Sequence, residues 1–331
     1  MKLIFVLSAV TAAAVSVDNA QAARIVDTAY VEAAAARGAI IWDVRNEADY
    51  GQGHIAGAIN VGDVGKVLRD ENTEDYLPMA NVEQVLAGAG IDPSKEIVVY
   101  GAKANPYAYF AEVTIEYVGG NNVHVYHGGI DDWKAAGRPV TDTPAKLAPV
   151  TLSLKPVTGV TVTTADVRKA LARSNVQIVD ARSPKEYKGA DIRAIRGGHV
   201  PKAVNVPFEQ NWVDPDTNKK LAEKKVSNKE GLALKPEAEL KALYAALDPK
   251  KETIVYCQSG VRASETATVL KDLGFSKVRV YDSSWLGYGN TLDAPAEDVA
   301  FFNVGLMSSK VAALQKRVDS LEKELAETRK P

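Results

Sequence analysis

The chain carries one pattern twice, and this duplication constrains its fold more than any other feature. The first copy reads Ile41-Trp42-Asp43-Val44-Arg45-Asn46-Glu47-Ala48-Asp49-Tyr50, followed by Gly53-His54-Ile55-Ala56-Gly57-Ala58-Ile59-Asn60-Val61. The second reads Ile178-Val179-Asp180-Ala181-Arg182-Ser183-Pro184-Lys185-Glu186-Tyr187, followed by Gly198-His199-Val200-Pro201-Lys202-Ala203-Val204-Asn205-Val206. Later anchors recur in the same order: Ile97-Val98-Val99-Tyr100-Gly101 matches Thr253-Ile254-Val255-Tyr256-Cys257, and Val123-His124-Val125-Tyr126 matches Val278-Arg279-Val280-Tyr281. A chain built this way folds as two copies of one domain.

Each copy alternates short apolar runs with helical patterns. In the second, Thr164 to Leu171 begins at an N-capping residue and continues amphipathically. Val176 to Val179, Ala203 to Val206, Thr253 to Tyr256 and Lys277 to Tyr281 read as strands. Pro236 to Leu247, with proline in its first turn, and Val261 to Leu273, stopped by Gly274, read as helices. Apolar strands alternating with helices predict an α/β fold, a mainly parallel sheet covered on both faces. Ligands of such sheets bind beyond the carboxyl ends of the strands.

Residues 1–22 read as a secretory signal: Lys2, an apolar stretch from Leu3 to Val17, and an Ala20-Gln21-Ala22 cleavage site. The sequence then divides into a signal peptide (1–22), a thiol-less domain (23–140), a Pro- and Thr-rich linker (141–160), a second domain (161–300) and a C-terminal segment (301–331). The expected location is periplasmic or secreted. No other apolar run reaches spanning length, so no membrane span is expected. With net charge −2 and both signs interspersed, no broad basic surface for nucleic acid is expected. Four histidines and one cysteine give no metal-site spacing. His124 and His127 therefore read as structural, and no metal or organic cofactor is implied. The second copy carries a polar, lysine-rich insertion from Phe208 to Gly231, expected as a surface loop near the site. Trp212 inside it either covers the pocket or packs. In the C-terminal segment Val304, Met307, Val311, Leu314, Val318, Leu321 and Leu325 alternate spacings of three and four. This coiled-coil-like seam suits a homo-oligomer through residues 304–328.

The only cysteine, Cys257, stands where a buried strand turns into a helix. Such a thiol faces backbone N–H groups and the positive end of the helix dipole, a setting that favours thiolate. The loop Cys257-Gln258-Ser259-Gly260-Val261-Arg262 has a glycine for tight curvature and an arginine for fixed positive charge. It suits a thiolate that takes up sulfur as a persulfide and passes it on.

The repeat, Asp180-x-Arg182 with Glu186-Tyr187, the run from Gly198 to Pro207, and Cys257-x-x-Gly260-x-Arg262 together resemble the rhodanese family of sulfurtransferases. The resemblance implies two rhodanese-like domains, only the second catalytic. It implies that Cys257 forms the persulfide, that Gln258, Ser259, Gly260, Val261, Arg262 and Ala263 form the cradle, and that Arg182 faces the donor anion. Asp180 is read as a supporting residue that orients the site. The loop lies between the thiosulfate type, with basic residues after the cysteine, and the mercaptopyruvate type, Cys-Gly-Ser-Gly-Val-Thr. The expected donor is therefore thiosulfate or 3-mercaptopyruvate, with a thiol or cyanide as acceptor. Arg193 and Arg196 lie in the segment that, by resemblance to mercaptopyruvate enzymes, would carry a carboxylate-binding arginine, and both are read as solvated charges. His199 is read as stabilising a turn, and Asp43 and Arg45 as an internal ion pair. Two alternatives stand beside this reading: a non-enzymatic persulfide carrier within an assembly, and a cysteine phosphatase. The Cys-x4-Arg spacing here is one residue shorter than the phosphatase Cys-x5-Arg.

Overall fold

The computed structural model describes residues 23–328, so the signal peptide expected at 1–22 lies outside the described residues. The duplication in sequence is a duplication in topology. The first sheet has five parallel strands in the order Ile25–Val26, Val123–Tyr126, Ile97–Tyr100, Ile40–Asp43 and Ile59–Asn60. The second, read from the corresponding edge, runs Thr161–Val162, Val278–Tyr281, Glu252–Tyr256, Val176–Asp180 and Val204–Asn205, again all parallel. The central strands are buried along their whole length, as expected for a sheet covered on both faces. Each domain also has a small antiparallel pair: His54–Ile55 with Val140–Thr141, and Arg196–His199 with Glu297–Phe301. The chain thus contains two α/β domains of one design.

Local signals place the helices. Thr163 and Asp166 form a reciprocal capping box ahead of Thr164–Ala170, and Ser183 with Glu186 forms another ahead of Pro184–Tyr187. The segment after Thr141 is irregular, and Ala145, Leu152 and Leu154 pack against the first domain's core.

The domains meet through equivalent helices, Pro106–Tyr117 and Val261–Asp272, each of which follows the central strand of its own sheet. The second of these is buried nearly all round although it carries Ser264, Glu265, Thr266 and Thr268. Their polar atoms look for partners across or beside the seam. Thr268 Oγ1 donates to Glu112 Oε2 at 2.9 Å, and Trp212 Nε1 donates to Glu265 Oε1 at 2.8 Å. The apolar cores also interleave: Val261 packs into the first domain, and Ala104 and Val113 into the second.

The C-terminal helix, Val304–Thr328, stands apart with no buried residue. Its seam from Val304 to Leu325 is exposed throughout. Among the described residues no helix is long and apolar enough to cross a membrane.

Candidate active site

Cys257 follows the last residue of the central strand Glu252–Tyr256, at the carboxyl end of the second sheet. It is buried and unpaired. Its N–H donates to Ser284 Oγ at 3.1 Å, and Ser284 Oγ donates in turn to the Tyr281 carbonyl at 2.6 Å. The Cys257 and Gln258 carbonyls accept from Trp285 N and Leu286 N. These bonds fix the back of the loop against the neighbouring strand's end.

The front of the loop is open. The backbone N–H groups of Gln258, Ser259, Gly260, Val261, Arg262 and Ala263 find no acceptor among the described residues. Six consecutive free donors at the start of a buried helix form a site for negative charge. Gly260 makes the curl possible: its φ is +84°, and a Cβ there would come within 2.8 Å of the Asp282 carbonyl oxygen.

The corresponding loop of the first domain is closed. Gly101 stands where Cys257 stands. Ala104, at φ +59°, occupies the position of Gly260. Its donors are already used: Lys103 N donates to Asp131 Oδ2, Ala104 N to the His127 carbonyl and Asn105 N to the Ala102 carbonyl. The first copy therefore has neither the thiol nor the continuous row of free amides.

The charges around the thiol differ from expectation. Arg262 lies within electrostatic reach of Cys257, but it also forms a two-pronged ion pair with Glu186, at 3.0 and 2.8 Å. Burial pushes the Glu186 carboxyl up. The bond to Arg262 and its charge, with the Ser183 N–H, outweigh this and hold it at about 2. Burial lowers the affinity of Arg262 for its proton, whereas Glu186, Cys257 and Glu209 raise it, with a net upward shift. The positive charge at the loop is thus largely offset by Glu186. Glu186 stands in the sequence as part of the Glu186-Tyr187 motif, which gives no sign of its partner. Arg193, half exposed, reaches the same carboxylate at 3.4 Å. Its carbonyl accepts from Gln258 Nε2 at 2.7 Å, tying the loop to the 189–195 segment.

Arg182 is not an exposed anion-binding group. It is 1% exposed, with Nε and Nη2 on the Asp180 carboxylate and Nη2 also on the Gly198 carbonyl at 2.7 Å. It lies over the Trp285 and Tyr256 rings. Its donors are directed inward because Asp180 is buried beside it and also accepts from Tyr256 OH at 2.6 Å. Asp43 and Arg45 repeat the arrangement in the first domain, with the Gly53 carbonyl as the extra acceptor. This pair belongs to the frame of both copies.

Other residues resolve similarly. Arg196 is buried rather than solvated, and Nη2 donates to the Thr291 and Ala294 carbonyls. Trp212 is buried and packs edge-on against Phe208, with Nε1 on Glu265. His199 stacks on Tyr187 at 3.6 Å, as His54 does on Tyr50, and each bonds the carbonyl of its ring partner through Nδ1. His127 is held between Tyr109 OH and the Leu232 carbonyl, and burial lowers it to about 4, so it is neutral. A cavity of about 990 Å³ between the domains lies at the amino ends of the strands, lined by Glu252, Val278 and Leu273 among others, away from Cys257.

Two groups beside the site come from the first domain and carry no sequence signal. Tyr107 lies within electrostatic reach of Cys257. Arg69, 4% exposed, reaches across to the loop itself.

A rhodanese-like domain model matches residues 27–136 and 163–291, the two halves of the duplication. The chain belongs to the rhodanese-like family. Its relatives include a thiosulfate sulfurtransferase of Corynebacterium glutamicum, 34% identical over 265 residues, which span 75% of this chain and 81% of that protein. A putative thiosulfate sulfurtransferase of Haloferax volcanii is 32% identical over 266 residues, 77% of this chain and 86% of that protein. Among solved structures, the anaerobic ergothioneine biosynthesis enzyme of Chlorobium limicola superposes with a TM-score of 0.70 at 22% identity, over 83% of this chain and 70% of that one. This last likeness is one of fold. For a rhodanese-like protein the decisive asymmetry is that only the second domain keeps both a cysteine and an open loop.

Proposed function

We propose that the chain is a sulfurtransferase with Cys257 as nucleophile. The Cys257 thiolate attacks the transferable sulfur of the donor, the sulfane sulfur of thiosulfate or the thiol sulfur of 3-mercaptopyruvate. With thiosulfate the S–S bond breaks and sulfite leaves with the bonding pair; with 3-mercaptopyruvate the C–S bond breaks and pyruvate leaves after taking up a proton. The outer sulfur of the resulting persulfide is held by the free N–H groups from Gln258 to Ala263. A thiolate or cyanide then attacks that sulfur, the Sγ–S bond breaks, and Cys257 returns to thiolate. The observation that carries this reading is the row of unpaired loop amides beside the only cysteine. The names of the relatives favour thiosulfate over 3-mercaptopyruvate. Intact mass after incubation with each donor tests it. One added sulfur on the wild type and none on Cys257→Ser is expected; steady turnover by Cys257→Ser would refute it. An adduct without turnover on small acceptors would leave the carrier reading in its place.

The same proposal includes export and self-association. Cleavage after Ala22 would retain the contacts by which Asp272 accepts from Arg24 N and Ile25 N. The mass of the protein recovered from the periplasm tests this, and a chain retaining residues 1–22 would refute it. The helix Val304–Thr328 pairs in parallel with that of a second copy. With Val mostly at a and Leu at d, Arg317 falls at g and Glu322 at the e position it meets in a parallel partner. An antiparallel pair would set Arg317 against itself. Light scattering should give a dimer for the wild type and a monomer for Leu314→Asp. A monomeric wild type would refute the pairing.

A further inference from the structure

We infer that Arg69 of the thiol-less domain is a positioning residue for the active-site loop of the other domain, and that it makes the loop a better holder of negative charge. This rests on the reading of the loop as an anion cradle. Arg69 Nη2 donates to the Ser259 carbonyl at 2.5 Å, and Nη1 to Asp282 Oδ1 at 3.1 Å. Asp282 Oδ2 accepts from Tyr76 N at 3.0 Å. The Asp282 backbone carbonyl lies against Gly260, where it excludes any side chain. The guanidinium is clamped over Phe110, 4.7 Å from the ring centroid, and further off over Tyr76. Arg69 and Asp282 are therefore fixed from both domains, and the Ser259–Gly260 peptide is fixed between them.

The physical consequence follows from the peptide bond. The Ser259 carbonyl and the Gly260 N–H belong to one conjugated unit. A cation bonded to the carbonyl draws electron density from the nitrogen and strengthens the N–H as a donor on the other side. The Gly260 N–H is one of the free donors of the cradle. Arg69 thus acts through a peptide on whatever anion the cradle holds, thiolate or persulfide, without touching it. Asp282 orients the guanidinium; burial pushes its carboxyl up to about 6, against the charge of Arg69 and the bond from Tyr76 N. Arg262, paired with Glu186, and Tyr107 from the first domain's helix also lie within electrostatic reach of the thiol.

The test reads thiol reactivity, which is independent of any sulfur donor. In full-length protein, Arg69→Gln should lower the rate of Cys257 alkylation by iodoacetamide at pH 7 by roughly fivefold, the equivalent of one ordinary net hydrogen bond, because Arg69 acts on the thiolate only through the peptide. The rate at pH 10, where thiols are largely ionised, should change much less. Arg69→Lys, which keeps the charge and one donor, should recover part of the rate at pH 7. Lys271→Gln, which cuts the cross-domain Lys271–Glu116 ion pair at the far end of the seam, should leave alkylation unchanged. Circular dichroism checks that each variant is folded. A folded Arg69→Gln protein that alkylates at the wild-type rate would overturn the inference. So would equal slowing in Lys271→Gln, which would point to a loosened interface. Failure of sulfur uptake with normal alkylation behaviour would instead count against the proposed reaction.

Discussion

Replacing Glu186 by Gln removes the counter-charge of Arg262 and keeps the shape of the side chain. The ordinary value for this carboxyl is 4.5, and in the folded protein it is held at about 2. At ~1.4 kcal/mol per pKa unit, this difference corresponds to about 3 kcal/mol of stability at neutral pH. The sign follows from the direction. A carboxyl whose folded value is depressed stabilises the fold fully above its unfolded value, and that stability is lost as pH falls through the folded value. Wild type should therefore exceed Glu186→Gln by about 3 kcal/mol at pH 7, by about half as much at pH 3, and by little below pH 2. Urea unfolding at these pH values measures the difference. A gap that does not shrink with acid, or no gap at pH 7, would show that the pair does not carry this energy. The variant should also alkylate faster at Cys257, because Arg262 then faces the thiol without its carboxylate. That is opposite in sign to the Arg69 effect, although both experiments alter a single charge near one loop.

Two further outcomes are expected. Burial beside Glu116 pushes Glu112 at the domain seam up to about 7, despite Lys271 and Arg24. Its folded form holds a proton that the unfolded chain releases, so this group makes stability fall as pH rises from about 4.5 to 7, by about 3 kcal/mol at most. Glu112→Gln should remove that fall, and urea midpoints at pH 5 and pH 8 check it; an unchanged pH dependence would refute it. Gly101→Cys in a Cys257→Ser background should take up no sulfur by intact mass. A side chain at Gly101 meets Asn105 Nδ2 at 2.7 Å, and the N–H groups of Lys103, Ala104 and Asn105 are already bonded. A sulfur adduct on that variant would show that a thiol alone suffices.

The fold was legible because its signals are local and doubled. Apolar runs, capping residues and a repeated order of anchors gave the parallel α/β design, and both sheets have it. The position of Cys257 at a strand's carboxyl end was legible for the same reason. The partners of the charges were not. Asp180-x-Arg182 reads equally well as a substrate-facing arginine or a buried pair, and only the packing of Trp285 and Tyr256 over the guanidinium distinguishes them. Arg196 looks like any surface arginine until three backbone carbonyls from 288–294 converge on it. Arg69 and Tyr107 lie far from Cys257 in the chain and outside every motif. Their relation to the loop is made by docking one domain on the other.

The two loops show how a duplicated frame supports one active centre. Behind the silent loop stands His127, uncharged and held by a tyrosine hydroxyl and a carbonyl. Behind the active loop, at the matching position after the strand, stands Asp282, paired with Arg69. The silent loop is closed by its own bonds, from Lys103 N to the Asp131 carboxylate and from Ala104 N and Asn105 N to carbonyls. The open loop leaves six donors without a protein partner, a cost in stability that contacts bracing the loop from outside must offset. The brace comes from the first domain. On this reading the thiol-less domain has a physical role: it supplies the buried wall and the cation against which the other domain's loop is held.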